Sequence, residues 1–110
     1  MTLRQKQSKF VWMVRDLRNF AEKQGYELTF GEALRTPEQA ALYAKQGKGI
    51  PGSIHQLKLA IDLNLFVDGV YMTSTEAHRK LGEYWESIGG TWGGRFNDGN
   101  HYSLAHGGKK

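Results

Sequence analysis

The hydrophobic positions at the start of the chain recur with the period of an α-helix. Apolar residues between Leu3 and Ala21 return at steps near 3.6, and Arg and Lys residues lie between them. Thr2 and Gln5 have the spacing of a capping box, and Gly25 is a natural stop for a helix. The pattern therefore predicts a long amphipathic helix over this segment.

Two later stretches alternate with the period of a β-strand instead. Residues 26–30 alternate Tyr, Leu and Phe with Glu and Thr, and residues 59–66 place Leu and Ile on one face. Asp62 lies on the opposite face of the second stretch. Asp68-Gly69 then predicts a hairpin turn into a third short strand.

Capping signals predict two further helices. One begins at Thr36 and ends near Gly47, and the other begins at Thr73 with Glu76 and carries an apolar stripe as far as Ile88. Aromatic residues after position 90 predict one or two closing strands. Helices before and after hairpin-connected strands indicate the α+β class, with a small antiparallel sheet and flanking helices.

Length and composition limit the class of protein. The 110 residues are enough for one domain spanning 1–110, and the absence of cysteine excludes a disulfide scaffold and a cysteine nucleophile. No run reaches the roughly 18 apolar residues of a membrane span, and no signal peptide is visible. The net charge of +4 favours anionic partners, but it does not choose among nucleic acid, phosphate polymers and an acidic cell wall.

Four residues form the strongest chemical pattern. A carboxylate such as Asp62 in an apolar strand is costly unless it is paired or bound to metal, and a salt bridge is the commoner outcome. Together with His55 and His101 it forms a suitable ligand set for a hydrolytic zinc ion. Asp98, three residues before His101, could then act as a general base. The helical His-Glu-x-x-His motif is absent.

The remaining histidines and tryptophans have simpler interpretations. His78 lies beside Arg and Lys in a predicted helix, so we expect it on a solvated face. His106 lies in a glycine-rich basic end and is expected in a mobile tail. Trp12 and Trp85 are expected mainly to pack against the core.

The order and spacing of several motifs resemble the M15 peptidases. Residues 53–62, Ser-Ile-His-Gln-Leu-Lys-Leu-Ala-Ile-Asp, resemble that family's Ser-x-His-x-x-Gly-x-Ala-x-Asp signature, with Lys58 in place of the glycine. Residues 98–101 are similar to its second signature, an acidic residue, two others and then His. Residues 92–94 resemble the Trp-Gly-Gly that often precedes it, and residues 35–39 resemble its Arg followed by Glu-Gln.

This resemblance implies a role for each matching residue. His55, Asp62 and His101 would bind Zn²⁺, and Asp98 would deprotonate the zinc water and later protonate the leaving amine. Arg35 would hold the substrate carbonyl or the developing oxyanion. Ser53 would help to position the substrate, and Trp92 is a further candidate for lining the cleft and binding substrate.

The implied fold is that of the D-Ala-D-Ala peptidases and Hedgehog proteins. The implied activity is zinc-dependent cleavage of the peptide stem of bacterial peptidoglycan. The small size and the missing signal peptide are most similar to phage lysis enzymes, or endolysins, which cut between L-Ala and D-Glu. We therefore expect a bacteriolytic monomer that stays in the host cytoplasm until a separate holin gives access to the wall.

Three alternatives remain at this point. A D-Ala-D-Ala carboxypeptidase is the nearest, because both activities share the same ligands. A noncatalytic module that binds the cell wall is the second, although binding alone requires neither Asp98 nor Arg35. A nucleic-acid binder ranks last, because the chain has no basic run and no recognised module.

Overall fold

The computed structural model describes residues 1–31, 54–55, 57–108 and 110. The helix predicted to begin at Thr36 and to end near Gly47 lies outside these residues. The described elements are helix α1 (Leu3–Lys23), strand β1 (Tyr26–Phe30), strand β2 (Ala60–Val67), strand β3 (Val70–Met72), a 3₁₀ turn (Glu76–His78), helix α2 (Arg79–Ser87), strand β4 (Thr91–Trp92), a second 3₁₀ turn (Gly93–Phe96) and strand β5 (His101–Ser103).

Helix α1 forms as the sequence predicts. The Thr2 hydroxyl accepts a hydrogen bond from the Gln5 amide at 3.1 Å, and the Gln5 side chain accepts one from the Thr2 amide at 2.8 Å. Its buried face packs against α2, where the rings of Phe20 and Tyr84 stack with their centroids 4.3 Å apart.

The prediction that Trp12 packs against the core is wrong. It lies on the outer face of α1 and is 59% exposed.

Strand β2 organises the sheet. It pairs antiparallel with β1 over most of its length, with β3 at its end, and with β5 at its beginning. Strand β5 in turn pairs antiparallel with β4, so every strand pair in the described part of the chain is antiparallel. The α+β prediction is confirmed. Asp68 and Gly69 have φ values of 52° and 78°, as the predicted hairpin turn requires.

The start of the last helix differs from the prediction. The Ser74 hydroxyl, rather than Thr73, accepts a hydrogen bond from the amide of Ala77 at 3.1 Å. Glu76 does not complete a capping box there, and its carboxylate pairs with Arg79. The segment opens as a 3₁₀ turn, and His78 is its last residue. His78 is 3% exposed, and the prediction of a solvated His78 is wrong.

The core lies between the two helices and one face of the sheet. The leucine face of β2 is buried there, as its alternation predicts. Trp85 of α2 is fully buried, and its indole N–H donates to the Ser103 carbonyl at 2.8 Å. This bond ties α2 to β5, and the prediction that Trp85 packs is confirmed. Among the described residues, no helix has the length and apolar character needed to cross a membrane.

Candidate metal centre

Three side chains from two strands and a turn meet at one point. Asp62 Oδ1 lies 3.5 Å from His55 Nε2 and 3.6 Å from His101 Nδ1. One donor atom from each residue lies within 4.8 Å of the other two, and no other such group occurs in the described part of the chain. The structure thus brings together the three residues proposed as ligands.

The sheet and one tight turn explain this convergence. Asp62 and His101 are direct register partners of β2 and β5. His55 lies in the turn that leads into β2, where its carbonyl accepts a hydrogen bond from the Lys58 amide at 3.2 Å. Lys58 has a φ of 58°, a conformation that favours glycine. The glycine of the M15 signature therefore stands at a backbone position that this turn requires, and Lys58 occupies it under strain.

The donor set fits zinc. Ligand atoms about 2.0–2.1 Å from a tetrahedral zinc ion lie roughly 3.4 Å apart, close to the two distances to Asp62. Both imidazoles are 5% exposed. No described residue donates a hydrogen bond to Asp62 Oδ1, which is buried. A buried carboxylate oxygen between two imidazole nitrogens is the arrangement expected where a cation binds.

Asp98 lies at the edge of this group. Its Oδ2 is 3.9 Å from His101 Nδ1, and its side chain is 51% exposed. Two backbone bonds hold the loop: the Asp98 amide donates to the Gly93 carbonyl at 2.8 Å, and the His101 amide donates to the Asp98 carbonyl at 3.0 Å. A Cβ atom at Gly93 would overlap the Asp98 carbonyl oxygen. Glycine at this position thus allows the loop to place a carboxylate beside the metal donors.

Trp92 is positioned differently from its expected role in substrate binding. Its ring is 1% exposed, and its indole N–H donates to the Gly99 carbonyl at 2.8 Å. The guanidinium of Arg95 lies over the same ring, 5.2 Å from its centroid, and pairs with Glu86 at 2.8 Å. Trp92 therefore supports the loop that carries Asp98, and it offers no open surface to a substrate.

Two of the expected site residues cannot be placed. Arg35 and Ser53 lie outside the described residues. Their roles in holding the oxyanion and positioning the substrate stay predictions.

Phe96 lies beside the metal donors, with the centroid of its ring 5.7 Å from that of His101. It is 48% exposed, so it can form an aromatic wall beside the site.

Sequence reasoning missed a buried polar pair behind the site. His78 Nδ1 lies 2.7 Å from the hydroxyl of Tyr102, which follows His101 in β5. Burial lowers the pKa of His78 and raises that of Tyr102, so both groups are neutral at pH 7. One signal could have found the pair: His78, Leu81 and Trp85 have the i, i+3, i+7 spacing of a buried stripe.

His78 of this pair and Asp98 both line a polar cavity of about 220 Å³. It lies between the link from β3 to α2 and the loop that precedes β5. We call it the His78 cavity. Its described lining includes Thr73, Thr75, His78, Asn97, Asp98 and Asn100.

Comparisons with known proteins agree with this geometry. A family model described as D-alanyl-D-alanine carboxypeptidase, Peptidase_M15_4, matches residues 46–104, more than half of the 110 residues. A crystal structure of the vancomycin resistance D,D-pentapeptidase VanY from a VanB-type cassette, in complex with Zn(II), is similar to this chain. Its TM-score is 0.63 at 24% identity, covering 89% of this chain and 71% of that one.

A second similar structure is VanYB in complex with D-alanine-D-alanine. Its TM-score is 0.61 at 24% identity, covering 89% of this chain and 70% of that one. No curated protein matches the chain. The two structures support the fold, and the family model covers both the His55–Asp62 segment and the Asp98–His101 segment.

Proposed function

Since the chain belongs to the D-alanyl-D-alanine carboxypeptidase family of M15 zinc peptidases, we propose that it is a peptidase of the peptidoglycan stem. We propose further that the bond it cleaves is the one between L-Ala and D-Glu. The observation that carries the proposal is the placement of Asp98 beside three converged metal donors. A binding module would require neither the donors nor the adjacent carboxylate. The noncatalytic alternative is therefore less favoured.

The proposed chemistry divides between the ligands and Asp98. His55 Nε2, Asp62 Oδ1 and His101 Nδ1 would hold the zinc ion. When bound, zinc supplies Lewis acidity and lowers the pKa of water towards about 7. Asp98 accepts the proton of the attacking water and delivers it to the departing amine. Its half-exposed side chain lets a substrate and a water molecule approach it.

The resemblance of the motifs to those of phage lysis enzymes supports an internal bond as the target. A carboxypeptidase must hold the free terminal carboxylate of its substrate, which favours a cationic partner. An endopeptidase instead binds peptide groups on both sides of the cleaved bond. The D-Ala-D-Ala bond stays the second candidate, because the description of the family model favours it.

Mass spectrometry of digested peptidoglycan separates these activities. Purified stem fragments are incubated with the zinc-loaded protein, and the new chain ends are identified. A new L-Ala carboxyl end with a matching D-Glu amine is the expected result. Loss of one terminal D-Ala would replace the proposal with a carboxypeptidase. Binding to peptidoglycan without any cleavage would instead favour the noncatalytic module.

We further propose that the enzyme acts in cell lysis as a monomer and reaches the wall from the host cytoplasm through a separate holin. The resemblance of the motifs to phage lysis enzymes supports this context. Protein added to bacteria with a permeabilised membrane is expected to lyse them, whereas protein expressed alone inside intact cells is not. Lysis on expression without a permeabilising partner would contradict the need for a holin.

A further inference from the structure

The net positive charge of the protein is concentrated in helix α1. This helix carries six of the 15 Lys and Arg residues and two of the 11 Asp and Glu residues, an excess of four cations. The rest of the chain holds the other nine basic and nine acidic residues, so its formal charge is zero. The net charge of +4 of the whole chain is therefore the net charge of α1 alone.

The two acidic residues of α1 are already balanced within the helix. Asp16 pairs with Arg15 at 2.9 Å, and Glu22 pairs with Arg18, four residues before it. Both pairs reach solvent, where an ion pair contributes little to stability and a guanidinium group can exchange one anion for another. An anionic ligand would therefore meet an excess of positive charge along this helix.

One side of α1 faces away from the core. The four buried residues of the helix lie on a single stripe, and a period of about 3.6 residues places a second set of residues on the opposite side. All members of this second set are exposed, and we call them the α1 outer face. They are Arg4, Ser8, Val11, Trp12, Arg15 and Asn19.

Trp12 gives the α1 outer face an aromatic centre. Its side chain is 59% exposed, and the guanidinium group of Arg15 lies 4.9 Å from the centroid of its ring. Val11 is the only other apolar member, so this face lacks the continuous apolar stripe with which a helix enters a membrane surface. A flexible anionic chain fits better, because its phosphate groups can bind the guanidinium groups while its carbon atoms pack against the ring.

The α1 outer face and the metal donors lie on opposite sides of the protein. The buried side of α1 packs against the core, which the leucine face of β2 closes from the other side. Asp62 lies on the opposite face of that strand, where His101 is its register partner. A ligand on the α1 outer face would therefore not contact the metal donors.

We propose that the α1 outer face binds a phosphodiester polymer of the bacterial cell wall, and that this contact holds the metal donors towards the peptidoglycan. The charge of α1 favours an anionic ligand, and the planar guanidinium groups match the oxygens of a phosphate. The choice of a wall polymer among anionic ligands rests on the proposed function. Binding and cleavage would use different residues on opposite sides of the protein, so each can be measured without the other.

Trp12 can report this binding directly, because the other two tryptophans of the chain are buried. Trp85 and Trp92 are 0% and 1% exposed, so acrylamide quenches mainly the fluorescence of Trp12. Poly(glycerol phosphate) is titrated into the zinc-loaded full chain at about 50 mM NaCl. We expect saturable protection from quenching, with an apparent Kd that rises at least about tenfold at about 200 mM NaCl as salt screens the charges. No protection at any polymer concentration would overturn the proposal.

Two double variants with the same net charge locate the binding site. Arg4→Gln/Arg15→Gln removes two cations from the α1 outer face, and glutamine is a good helix former, so α1 should persist. Lys80→Gln/Lys110→Gln removes two exposed cations from other parts of the chain. We expect Kd for the polymer to rise at least about tenfold in the first variant and less than about twofold in the second. Equal weakening in both would show that net charge alone attracts the polymer, and it would overturn the site on α1.

Vesicles test a lipid surface as the alternative ligand. Vesicles of phosphatidylglycerol and phosphatidylcholine replace the polymer in the same quenching experiment. We expect weaker protection of Trp12 than with poly(glycerol phosphate) at equal phosphate concentration, because the α1 outer face has few apolar residues to insert. Stronger protection by the vesicles would replace the polymer with a membrane surface.

Two measurements distinguish failure of this site from failure of the proposed reaction. Arg4→Gln/Arg15→Gln should cleave a soluble stem peptide with unchanged kcat/KM, and Asp98→Ala should bind poly(glycerol phosphate) with unchanged Kd. Polymer binding without cleavage of any stem would contradict the reaction and support the site on α1. Cleavage without polymer binding would support the reaction and overturn the site on α1.

Discussion

Asp62 and His101 face each other across the β2–β5 pair, and this register places Asp62 Oδ1 3.6 Å from His101 Nδ1. A slip of one residue in either strand would turn one of these side chains to the opposite face of the sheet. The metal donors therefore depend on the same register that buries the leucine face of β2. Correct pairing of β2 with β5 is thus needed for Asp62 and His101 to meet.

Loss of a ligand should abolish metal binding while the sheet still forms. We expect Asp62→Asn and His101→Ala to retain less than a tenth of the zinc bound by the unaltered protein, measured by elemental mass spectrometry after dialysis. The zinc-dependent rise in Tm should disappear as well, since a ligand at 100 times its Kd stabilises the folded state by about 2.7 kcal/mol.

A matched histidine provides the control for this experiment. His106 lies near the end of the chain and is not one of the three converged donors. His106→Ala should keep the full zinc content. Full zinc occupancy in His101→Ala would remove His101 from the ligand set.

Replacement of Asp98 should separate catalysis from metal binding. Asp98→Ala is expected to keep its zinc and to lose kcat by about 10²- to 10⁴-fold, because it removes the group that transfers protons. Asp16→Ala, which removes an exposed carboxylate on α1, should leave kcat unchanged. Turnover by Asp98→Ala at the level of the unaltered protein would contradict the proposed role of Asp98.

The periodic parts of the fold could be predicted from sequence. The α1 capping box, the alternation of β2 and the Asp68-Gly69 turn each depend on residues within a few positions of one another. Such local patterns determine secondary structure through hydrogen bonds between nearby residues and through the burial of one face. They also place Asp62 on the face opposite the leucines, where the structure brings the two histidines to it.

The environments of His78 and Trp92 differ from the predictions because a specific contact buries each ring. His78 is buried because Tyr102, 24 residues later, supplies a partner for its ring nitrogen. Trp92 is buried because the Gly99 carbonyl accepts its indole proton and Arg95 covers the ring. Spacing places His78 on a buried stripe with Leu81 and Trp85, but it does not show which group pairs with the ring. For Trp92, no sequence pattern shows that its indole N–H is already bonded inside the loop.

Lys58 gives a prediction about stability. A positive φ at this position costs a residue with a Cβ atom about 1 kcal/mol or more of folding free energy. Glycine avoids this cost, but it also makes the unfolded chain more flexible, which offsets part of the stabilisation. We expect Lys58→Gly to raise the free energy of unfolding by about 0.5–1 kcal/mol, a Tm increase of roughly 2–6 °C. Thermal unfolding of the metal-free protein measures it.

The same substitution at a helical lysine tests whether the stabilisation expected for Lys58→Gly comes from the positive φ. Lys80 lies in α2 and is exposed. Lys80→Gly should lower the free energy of unfolding by about 1 kcal/mol, the cost of glycine inside a helix. Destabilisation of similar size in Lys58→Gly would contradict the strain assigned to Lys58.

Burial of neutral His78 should make the fold sensitive to mild acid. Its pKa lies below the ordinary value of 6.5 because burial disfavours the charged ring. The unfolded chain therefore binds more protons than the folded protein once the pH falls below about 6.5, and the free energy of unfolding decreases from there until the pH passes the folded pKa. At pH 5.5 this loss reaches at most about 1.4 kcal/mol. Urea unfolding of the metal-free protein at pH 7.5 and 5.5 measures this loss. His78→Gln should lose less stability over that interval, because it lacks the buried imidazole. Parallel losses in the two proteins would show that His78 does not stay neutral in the fold.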